Sequence, residues 1–373
     1  MNKIKIGIIG IGSMGSQYVS MFEKEEVMNA VLTAVCTKNE NSGRWVREQI
    51  GDSIQVFHDE EDFFHDADID GVIITRPHYD HPGLAKYALN KGLHVLTEKP
   101  AGVYTKNVLE MNKAAKVSGR VFGIMYNQRT NPVYQKVREL VQSHELGDIK
   151  RMNWTVTHWY RSQSYYDSSV WRATWSGEGG GVLLNQSPHQ LDLWQWTTGL
   201  MPKRIRAFNA YGKYHDIEVE DESTIYAEYE NGATGLFVTS TGEAPGTNRF
   251  EIVGNNGKLV IENDEKLTFY RLRRSEREFN ATYKGGMGKP ECWKIDIPVH
   301  GESTGHLGII QNWINGIKKG TPLLAPGEEG IKGLEISNAA YLSSWLNQTV
   351  ELPVNPDVFY EHLCTKIKES KRK

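Results

Sequence analysis

The feature that most constrains the fold is a glycine-rich turn that directly follows a short apolar stretch near the start of the chain. Residues 3–9 are apolar and rich in β-branched side chains, which predicts a buried strand. Gly10-Ile11-Gly12-Ser13-Met14-Gly15 follows at once, and an amphipathic pattern predicts a helix over residues 16–25. In such a unit the first glycine permits a tight turn, the second admits a pyrophosphate, and the third lets helix and strand pack closely. The helix N-terminus offers N–H groups to phosphate oxygens. We therefore expect a dinucleotide to contact Gly10, Gly12, Ser13, Met14 and Gly15.

Strand and helix patterns alternate up to about residue 125. Further strands are predicted at residues 30–36, 70–75, 93–97 and 121–125, and helices at residues 81–91 and 105–117. This alternation predicts a parallel, doubly wound sheet whose ligands bind outside the carboxyl ends of the strands. The loops that follow these strands should therefore line the cofactor cleft, and their candidate contacts are Thr75, Pro77, His81, Glu98 and Lys99.

The end of the second strand bears on the choice between NAD and NADP. A carboxylate about 20 residues beyond the glycines would bind the ribose hydroxyls of NAD. Here the strand runs into Thr37-Lys38-Asn39, with no acid before Glu40. Thr37 and Lys38 could instead bind a 2′-phosphate, although a solvated turn also accounts for Lys38. We expect NAD or NADP, with a preference for NADP.

A lysine follows the strand predicted at residues 93–97, in the sequence Glu98-Lys99-Pro100. At a strand end beside a cleft, Lys99 could donate to a substrate hydroxyl or to the nicotinamide ribose. Its positive charge would also lower the pKa of a bound alcohol. A surface ion pair between Glu98 and Lys99 explains the same residues equally well.

The second informative segment begins Glu178-Gly179-Gly180-Gly181. Asn185, His189 and Asp192 follow at spacings of four and three, which would place them on one face of a helix. An imidazole flanked by an amide and a carboxylate is suited to moving protons.

Taken together, these motifs resemble those of the glucose–fructose oxidoreductase / inositol dehydrogenase / MocA family. The resemblance extends over nearly the whole chain and includes residues 305–345, which are similar to that family's two C-terminal helices. It implies a Rossmann domain at residues 1–125, followed by an α/β domain at residues 126–373 with a large, open, mainly antiparallel sheet. The nicotinamide would lie between the two domains.

The resemblance also implies roles for individual residues. Lys99 would contact cofactor and substrate, and His189 would act as general acid/base. Asn127 lies in the segment where the chain crosses into the second domain and would contact the cofactor. Members similar to inositol dehydrogenase carry aspartate where this chain has Asn185. Asparagine holds no charge but can hydrogen-bond a sugar hydroxyl. Asp192 could replace the missing acid, or it could serve the structure.

The second half of the chain reads mainly as a sheet. A helix is predicted at residues 132–143, and strands at residues 150–157, 204–211, 223–230, 234–240, 249–254, 258–262 and 267–271. Short successive strands predict an antiparallel sheet. The family resemblance implies that this sheet joins subunits in a homodimer or homotetramer.

Aromatic residues are concentrated between residues 153 and 197, where six of the ten tryptophans lie. Core packing accounts for most of them, since aromatic side chains dominate core energetics. We expect Trp159, Tyr160 and Trp171 near the substrate because they precede the glycines in an irregular stretch. Arg161 and Arg172 could bind hydroxyls, or an acidic group bidentately.

Composition excludes several other classes of protein. Lys and Arg total 43 against 46 Asp and Glu, so nothing indicates nucleic-acid binding. The three cysteines are too few for a disulfide framework, and no apolar run approaches the ~20 residues of a membrane span. The first residues read as a strand rather than a signal peptide. His78, Asp80 and His81 do not follow a recognised zinc pattern, so we expect no metal. These observations favour a cytoplasmic enzyme that binds neither nucleic acid nor membranes.

The predicted function is hydride transfer between a nicotinamide and a secondary alcohol of a sugar, cyclitol or related polyol. Two alternatives stay open at this stage. One is an NAD-dependent glycosidase that oxidises the ring transiently, with no net redox change. The other is a nicotinamide sensor without catalysis, which the presence of both Lys99 and His189 disfavours.

Overall fold

The computed structural model describes residues 3–370. The strands are β1 Ile4–Ile9, β2 Ala30–Cys36, β3 Gln55–Phe57, β4 Gly71–Ile74, β5 His94–Thr97, β6 Phe122–Ile124, β7 Ile149–Val156, β8 Pro202–Tyr211, β9 Glu220–Tyr229, β10 Thr234–Ser240, β11 Asn248–Gly254, β12 Gly257–Glu262, β13 Lys266–Leu272, β14 Cys292–Asp296 and β15 Val350–Glu351.

The α-helices are α1 Ser13–Glu23, α2 Glu40–Ile50, α3 Glu60–Asp66, α4 Asp80–Asn90, α5 Thr105–Ser118, α6 Pro132–Gln142, α7 Gln163–Asp167, α8 Pro188–Trp196, α9 Glu276–Thr282, α10 Gly305–Lys319, α11 Gly330–Leu346 and α12 Pro356–Glu369. Short 3₁₀ turns lie at Asn127–Thr130 and Gly327–Glu329, and a π-helical turn lies at Val182–Gln186.

The chain divides into two compact units, each built from two separate stretches of sequence. Unit 1 contains the residues up to Thr130 together with Thr304–Leu334, and unit 2 contains Asn131–Ser303 and the residues from Glu335 onward. The sequence pattern suggested one boundary, between residues 125 and 126. A single boundary does not describe this arrangement, because Thr304–Leu334 returns to unit 1.

Unit 1 is built around a parallel sheet with the strand order β3-β2-β1-β4-β5-β6. The predicted doubly wound sheet is therefore confirmed. Its order reverses between β1 and β4, which is where ligands bind in sheets of this kind. Trp313 of α10 is buried in this unit and donates its Nε1–H to the Val121 carbonyl at 3.3 Å. A Cβ on Gly71 would lie 3.0 Å from the same indole, so the glycine makes room for it.

Unit 2 contains a nine-stranded sheet with the order β14-β13-β12-β11-β7-β10-β9-β8-β15. Only β7 and β10 pair in parallel, so the predicted, mainly antiparallel sheet is confirmed. The indole of Trp154 stacks on the ring of Phe250 in its core, with centroids 4.3 Å apart. Four of the six clustered tryptophans are buried, as core packing requires: Trp154, Trp175, Trp194 and Trp196.

Among the helices of residues 3–370, none combines the length and the apolar character needed to cross a membrane.

Candidate cofactor and substrate sites

The glycine turn of unit 1 has the shape that a dinucleotide requires. Gly10 has a φ of +95°, a conformation that other residues rarely adopt. A Cβ on Gly15 would lie 2.0 Å from the Gly10 carbonyl oxygen, so only glycine permits this contact between helix and strand. No atom lies within 4 Å of a Cβ built on Gly12, and Gly12 and Ser13 are exposed. The N-terminus of α1, which begins at Ser13 with Met14 partly exposed behind it, is therefore open to a pyrophosphate.

The loop after β4 is tied to the loop after β5 by a buried histidine. His81 lies with Nδ1 2.7 Å from the Pro100 carbonyl and Nε2 2.6 Å from the Arg76 carbonyl. Burial lowers the pKa of His81. Both ring nitrogens lie within hydrogen-bond distance of backbone carbonyls, and the neutral ring donates to one of them, so His81 shapes the cleft. Thr75 and Pro77 lie partly exposed in the same loop.

Glu98 is buried, and its carboxylate is held from two sides. The Tyr18 hydroxyl donates to Oε1, and the Lys99 backbone N–H donates to Oε2 at 3.0 Å. Burial raises the pKa of Glu98. Because the Glu98 carboxylate is buried, Glu98 and Lys99 do not form the surface ion pair that was the alternative explanation of these two residues. Lys99 itself is partly exposed at the carboxyl end of β5.

His306, in the first turn of α10, belongs to the same cluster although the sequence did not single it out. Its ring centroid lies 5.9 Å from that of Tyr18, and its Nδ1 lies 3.4 Å from Asn127 Nδ2. Burial and then the positive charge of Lys99 lower the pKa of His306. Tyr18, Lys99, Asn127 and His306 thus come together in unit 1.

The turn after β2 holds an exposed lysine between two residues that are fixed by hydrogen bonds. Thr37 is buried, and its Oγ1 accepts the Asn39 N–H at 3.3 Å. Asn39 in turn caps α2 by accepting the Asn41 N–H at 2.9 Å. Lys38 is exposed between them. This position suits both a contact with a 2′-phosphate and a solvated turn.

The glycine-led segment of unit 2 does not form the single helix expected from its spacing. Val182–Gln186 is a π-helical turn, in which the Ser187 N–H donates to the Val182 carbonyl at 2.8 Å, and α8 starts afresh at Pro188. Proline lacks an N–H and disfavours helical geometry in the preceding residue. Asn185 and His189 therefore lie on different elements, and the prediction of one continuous helical face was wrong.

Asn185 is held by two acceptors within unit 2. Its Nδ2 donates to the Glu178 carboxylate and, at 3.1 Å, to the Tyr165 hydroxyl. Glu178 is buried and also accepts the Ala173 backbone N–H at 2.6 Å. The amide of Asn185 thus has a fixed orientation, with its nitrogen turned to protein oxygens.

Tyr165 gathers several of the residues expected near the substrate. Its hydroxyl accepts from Arg172 Nη1 at 2.9 Å and from Gln186 Nε2 at 3.3 Å. The Arg172 guanidinium also lies 4.6 Å from the centre of the Tyr165 ring and 4.8 Å from that of Trp171. Arg161 lies 5.1 Å from the Tyr165 ring. The sequence marked Tyr165 only as one aromatic among several, because nothing local shows that these donors converge on it.

Several polar atoms in this part of unit 2 are buried without a hydrogen-bond partner among residues 3–370: Trp159 Nε1, Arg161 Nε, Arg172 Nε and Gln186 Oε1. Such atoms cost free energy unless something pairs with them. A polar ligand would supply the missing partners. Tyr160, by contrast, is 53% exposed.

His189 and Asp192 both lie on α8, in different surroundings. His189 is partly exposed. Asp192 is fully buried and accepts a hydrogen bond from Gln195 Nε2 at 2.9 Å.

A buried glutamate anchors the glycines of the segment. Glu220 accepts the N–H groups of Gly181 at 3.0 Å and Leu183 at 2.9 Å, and the Tyr341 hydroxyl at 2.7 Å. Burial raises the pKa of Glu220 from 4.5 to about 7. A Cβ on Gly181 would lie 2.0 Å from the Glu220 carbonyl oxygen, which explains the glycine.

Within residues 3–370 the structure places no group of three or more His, Cys, Asp or Glu side chains that could hold a metal ion.

Two stretches of the chain match known families. Residues 4–126 match an oxidoreductase family with an NAD-binding Rossmann fold, and residues 134–260 match the GFO/IDH/MocA C-terminal domain. The chain belongs to the Gfo/Idh/MocA family of oxidoreductases. The glycine turn of unit 1 lies within the stretch that matches the NAD-binding Rossmann fold.

Similar Gfo/Idh/MocA proteins are distant in sequence but match along most of their length. The myo-inositol 2-dehydrogenase of Thermotoga maritima is 21% identical over 94% of this chain and 98% of its own length. The NADP-dependent scyllo-inositol 2-dehydrogenase IolW of Bacillus subtilis is 24% identical, over 94% and 97%. Among solved structures, the WlbA dehydrogenase of Chromobacterium violaceum, in complex with NADH and UDP-GlcNAcA, is 26% identical, with a TM-score of 0.81 over 95% and 97% of the two chains.

Proposed function

We propose that this chain is an NAD(P)-dependent dehydrogenase that oxidises a secondary alcohol of a sugar, cyclitol or related polyol. The observation that carries the proposal is the set of buried, unpartnered polar atoms in unit 2, which includes Trp159 Nε1, Arg172 Nε and Gln186 Oε1. Arg172 and Gln186 both contact the Tyr165 hydroxyl. Donors and acceptors beside aromatic rings suit a ring that carries several hydroxyls, because each hydroxyl both donates and accepts.

Unit 1 fits a dinucleotide. Gly10, Gly12 and Gly15 leave room for a pyrophosphate at the N-terminus of α1. Lys99 and Asn127 would hold the nicotinamide end. When bound, the nicotinamide supplies the hydride acceptor. Lys38, which stands where no acid precedes Glu40, supports a preference for NADP.

The protein's own part in the reaction is to hold the alcohol and to move its proton. His189 takes the hydroxyl proton as general base, a role that typically contributes ~10²–10⁴ in rate. Lys99 donates to the hydroxyl oxygen and stabilises the negative charge that develops there. Asn185 binds a neighbouring hydroxyl.

The ion pair between Arg172 and Glu178 supports a neutral ring rather than an acidic one as the group that Arg172 meets. The Glu178 carboxylate lies 3.8 Å from Arg172 Nη1 and offsets its charge within the fold. Two of the relatives described above are inositol dehydrogenases, which supports the same class. WlbA, whose structure contains UDP-GlcNAcA, represents the acidic alternative.

The experiment is a panel of inositols, hexoses, glycosides and uronic acids, each incubated with the purified protein and NAD or NADP. We expect net formation of reduced cofactor with at least one neutral polyol. Tight cofactor binding without turnover of any compound would overturn the proposal. Cleavage of a glycoside with exchange of ring hydrogens into solvent, and no net reduction, would favour the redox-neutral glycosidase instead.

A further inference from the structure

The orientation of the Asn185 amide is set by a carboxylate behind it. An amide nitrogen carries two hydrogens, and Asn185 directs them to the Glu178 carboxylate and to the Tyr165 hydroxyl, the latter at 3.1 Å. The reversed amide would turn its oxygen toward the Glu178 carboxylate, oxygen against oxygen. A hydroxyl that binds Asn185 must therefore donate to its carbonyl oxygen, the hydrogen-bond acceptor of the amide.

Glu178 is itself rigidly placed. Its side chain is only 2% exposed. One carboxylate oxygen accepts the Ala173 N–H at 2.6 Å, and the Glu178 backbone N–H donates to the Thr174 carbonyl at 3.0 Å. Arg172 Nη1 lies 3.8 Å from the other oxygen, and the Tyr165 hydroxyl accepts from both Arg172 and Asn185. The carboxylate is thus fixed in position and partly balanced in charge.

We propose that Glu178 is a positioning residue that makes Asn185 an obligatory hydrogen-bond acceptor, so that the site selects substrates with a hydroxyl donor at this point. This inference rests on the proposed function. The bond to an anionic acceptor also polarises the amide and makes its carbonyl oxygen a better acceptor. Glu178 does this without touching the substrate.

If Glu178 has this role, aspartate at position 185 should impair activity and stability unless residue 178 changes as well. Asn185→Asp places two carboxylates within hydrogen-bond distance, and one of them must then hold a proton. Adding Glu178→Gln restores one donor and one acceptor, with the donor now on residue 178. The acceptor that faces the substrate is kept.

The test compares the wild type, Glu178→Gln, Asn185→Asp and the double variant, with Glu265→Gln as the control. Glu265 is an exposed residue between β12 and β13 of the same unit. For the neutral polyol that the wild type oxidises, we expect Glu178→Gln to raise KM by about tenfold with a smaller change in kcat, because glutamine has one oxygen and cannot accept from both Ala173 and Asn185. Asn185→Asp should lose kcat/KM progressively as the pH rises. The double variant should return to within about threefold of the wild type, with a flat pH profile.

Thermal stability gives a second measurement that does not depend on turnover. The Tm of Asn185→Asp should fall more steeply with rising pH than that of the wild type, and the double variant should not share this loss. If the wild type oxidises no polyol, the proposed function fails while the Tm series still tests the pairing. Equal KM values in Glu178→Gln and the wild type would overturn the positioning role. So would a double variant no better than Asn185→Asp, or misfolding of both the single Glu178→Gln and the double variant.

Discussion

Tyr18 on α1 donates its buried hydroxyl to the carboxylate of Glu98, the residue that precedes Lys99. This bond joins the helix that follows the glycine turn to the strand end that carries the lysine. The two cofactor-binding motifs found in the sequence are therefore connected directly, by a residue that belongs to neither.

Tyr18→Phe should destabilise the protein by about 1–3 kcal/mol, because a buried carboxylate loses a donor. The Tyr18 bond lowers the pKa of Glu98, although burial raises it overall. Without the bond the pKa of Glu98 in the folded protein rises further above its value in the unfolded chain. Glu98 of the variant must then lose its proton at greater cost, so the variant loses more stability than the wild type as the pH rises. Urea unfolding at about pH 5 and about pH 8 measures this, with Tyr87→Phe, an exposed tyrosine, as the control. A deficit that is larger at the lower pH would contradict the assignment.

His189→Ala should lower kcat by about 10²–10⁴ and leave dinucleotide affinity unchanged, because the proposed role of His189 is to take the proton of the substrate hydroxyl rather than to bind the dinucleotide. Steady-state kinetics and a cofactor titration measure the two effects separately. The exposed His300 of unit 2 provides the matched control, since His300→Ala should change neither quantity. Turnover of His189→Ala close to that of the wild type would exclude the histidine as the base.

Alanine should affect different properties at two glycines of the turn: stability at Gly15 and dinucleotide affinity at Gly12. Gly15→Ala forces a Cβ to within 2.0 Å of the Gly10 carbonyl oxygen, so the backbone must move. We expect a loss of about 1–3 kcal/mol or more in stability. Gly12→Ala meets no protein atom within 4 Å, so it should fold normally but bind the dinucleotide at least about tenfold more weakly. Thermal melts and cofactor titrations of both variants check this. A Gly12→Ala variant that is less stable than Gly15→Ala, but binds the dinucleotide as the wild type does, would contradict the role of the turn.

The part of the fold that repeats a simple period could be predicted closely. β2 and β10 have the predicted ends, and the glycine turn lies between a strand and a helix as expected. The π-helical turn at Val182–Gln186 could not be foreseen from spacing, because Pro188 interrupts the helix that the spacing suggests. The short strand β14 was missed because its exposed residues show no buried, alternating face.

The candidate site was predictable only where a motif carries its own chemistry, as in the glycine turn. The sequence missed Tyr18, which reads simply as part of the buried face of α1. It missed His306 because its contact with Asn127 joins residues 179 apart in the chain. Tyr165 and Glu178 were overlooked as partners of Asn185 because hydrogen bonds between side chains of different elements leave no periodic trace in a sequence.

Lys38→Ala tests the preference for NADP. We expect the affinity for NADPH to fall by about tenfold, the value of one charge-assisted contact, while the affinity for NADH stays within about twofold. Fluorescence titration with both cofactors measures the ratio, and Lys116→Ala on α5 controls for the loss of a surface charge. A wild type that binds NADH much more tightly than NADPH would show the preference to be wrong.

Glu220→Gln should change how stability depends on pH. Burial raises the pKa of Glu220 from 4.5 to about 7, so its contribution to stability is present below the ordinary value and is lost as the pH rises through about 7. The glutamine variant lacks this titration. The stability of the variant relative to the wild type should therefore increase between about pH 5 and about pH 8, because only the wild type loses stability over this range. Denaturant curves across this range measure it, and a constant difference would argue against a raised pKa.

The return of the chain to unit 1 also affects how the protein is made. All the strands of the parallel sheet leave the ribosome long before α10, whose Trp313 packs against Gly71 and Gly123. During translation the side of the nascent sheet at Gly71 and Gly123 is therefore not yet covered by the Trp313 indole. Exposed apolar surface of this kind binds chaperones or promotes aggregation. A premature stop codon anywhere between the two stretches of unit 1 would release both units unfinished. The dinucleotide-binding half, although synthesised first, completes its core only after most of unit 2 has been made.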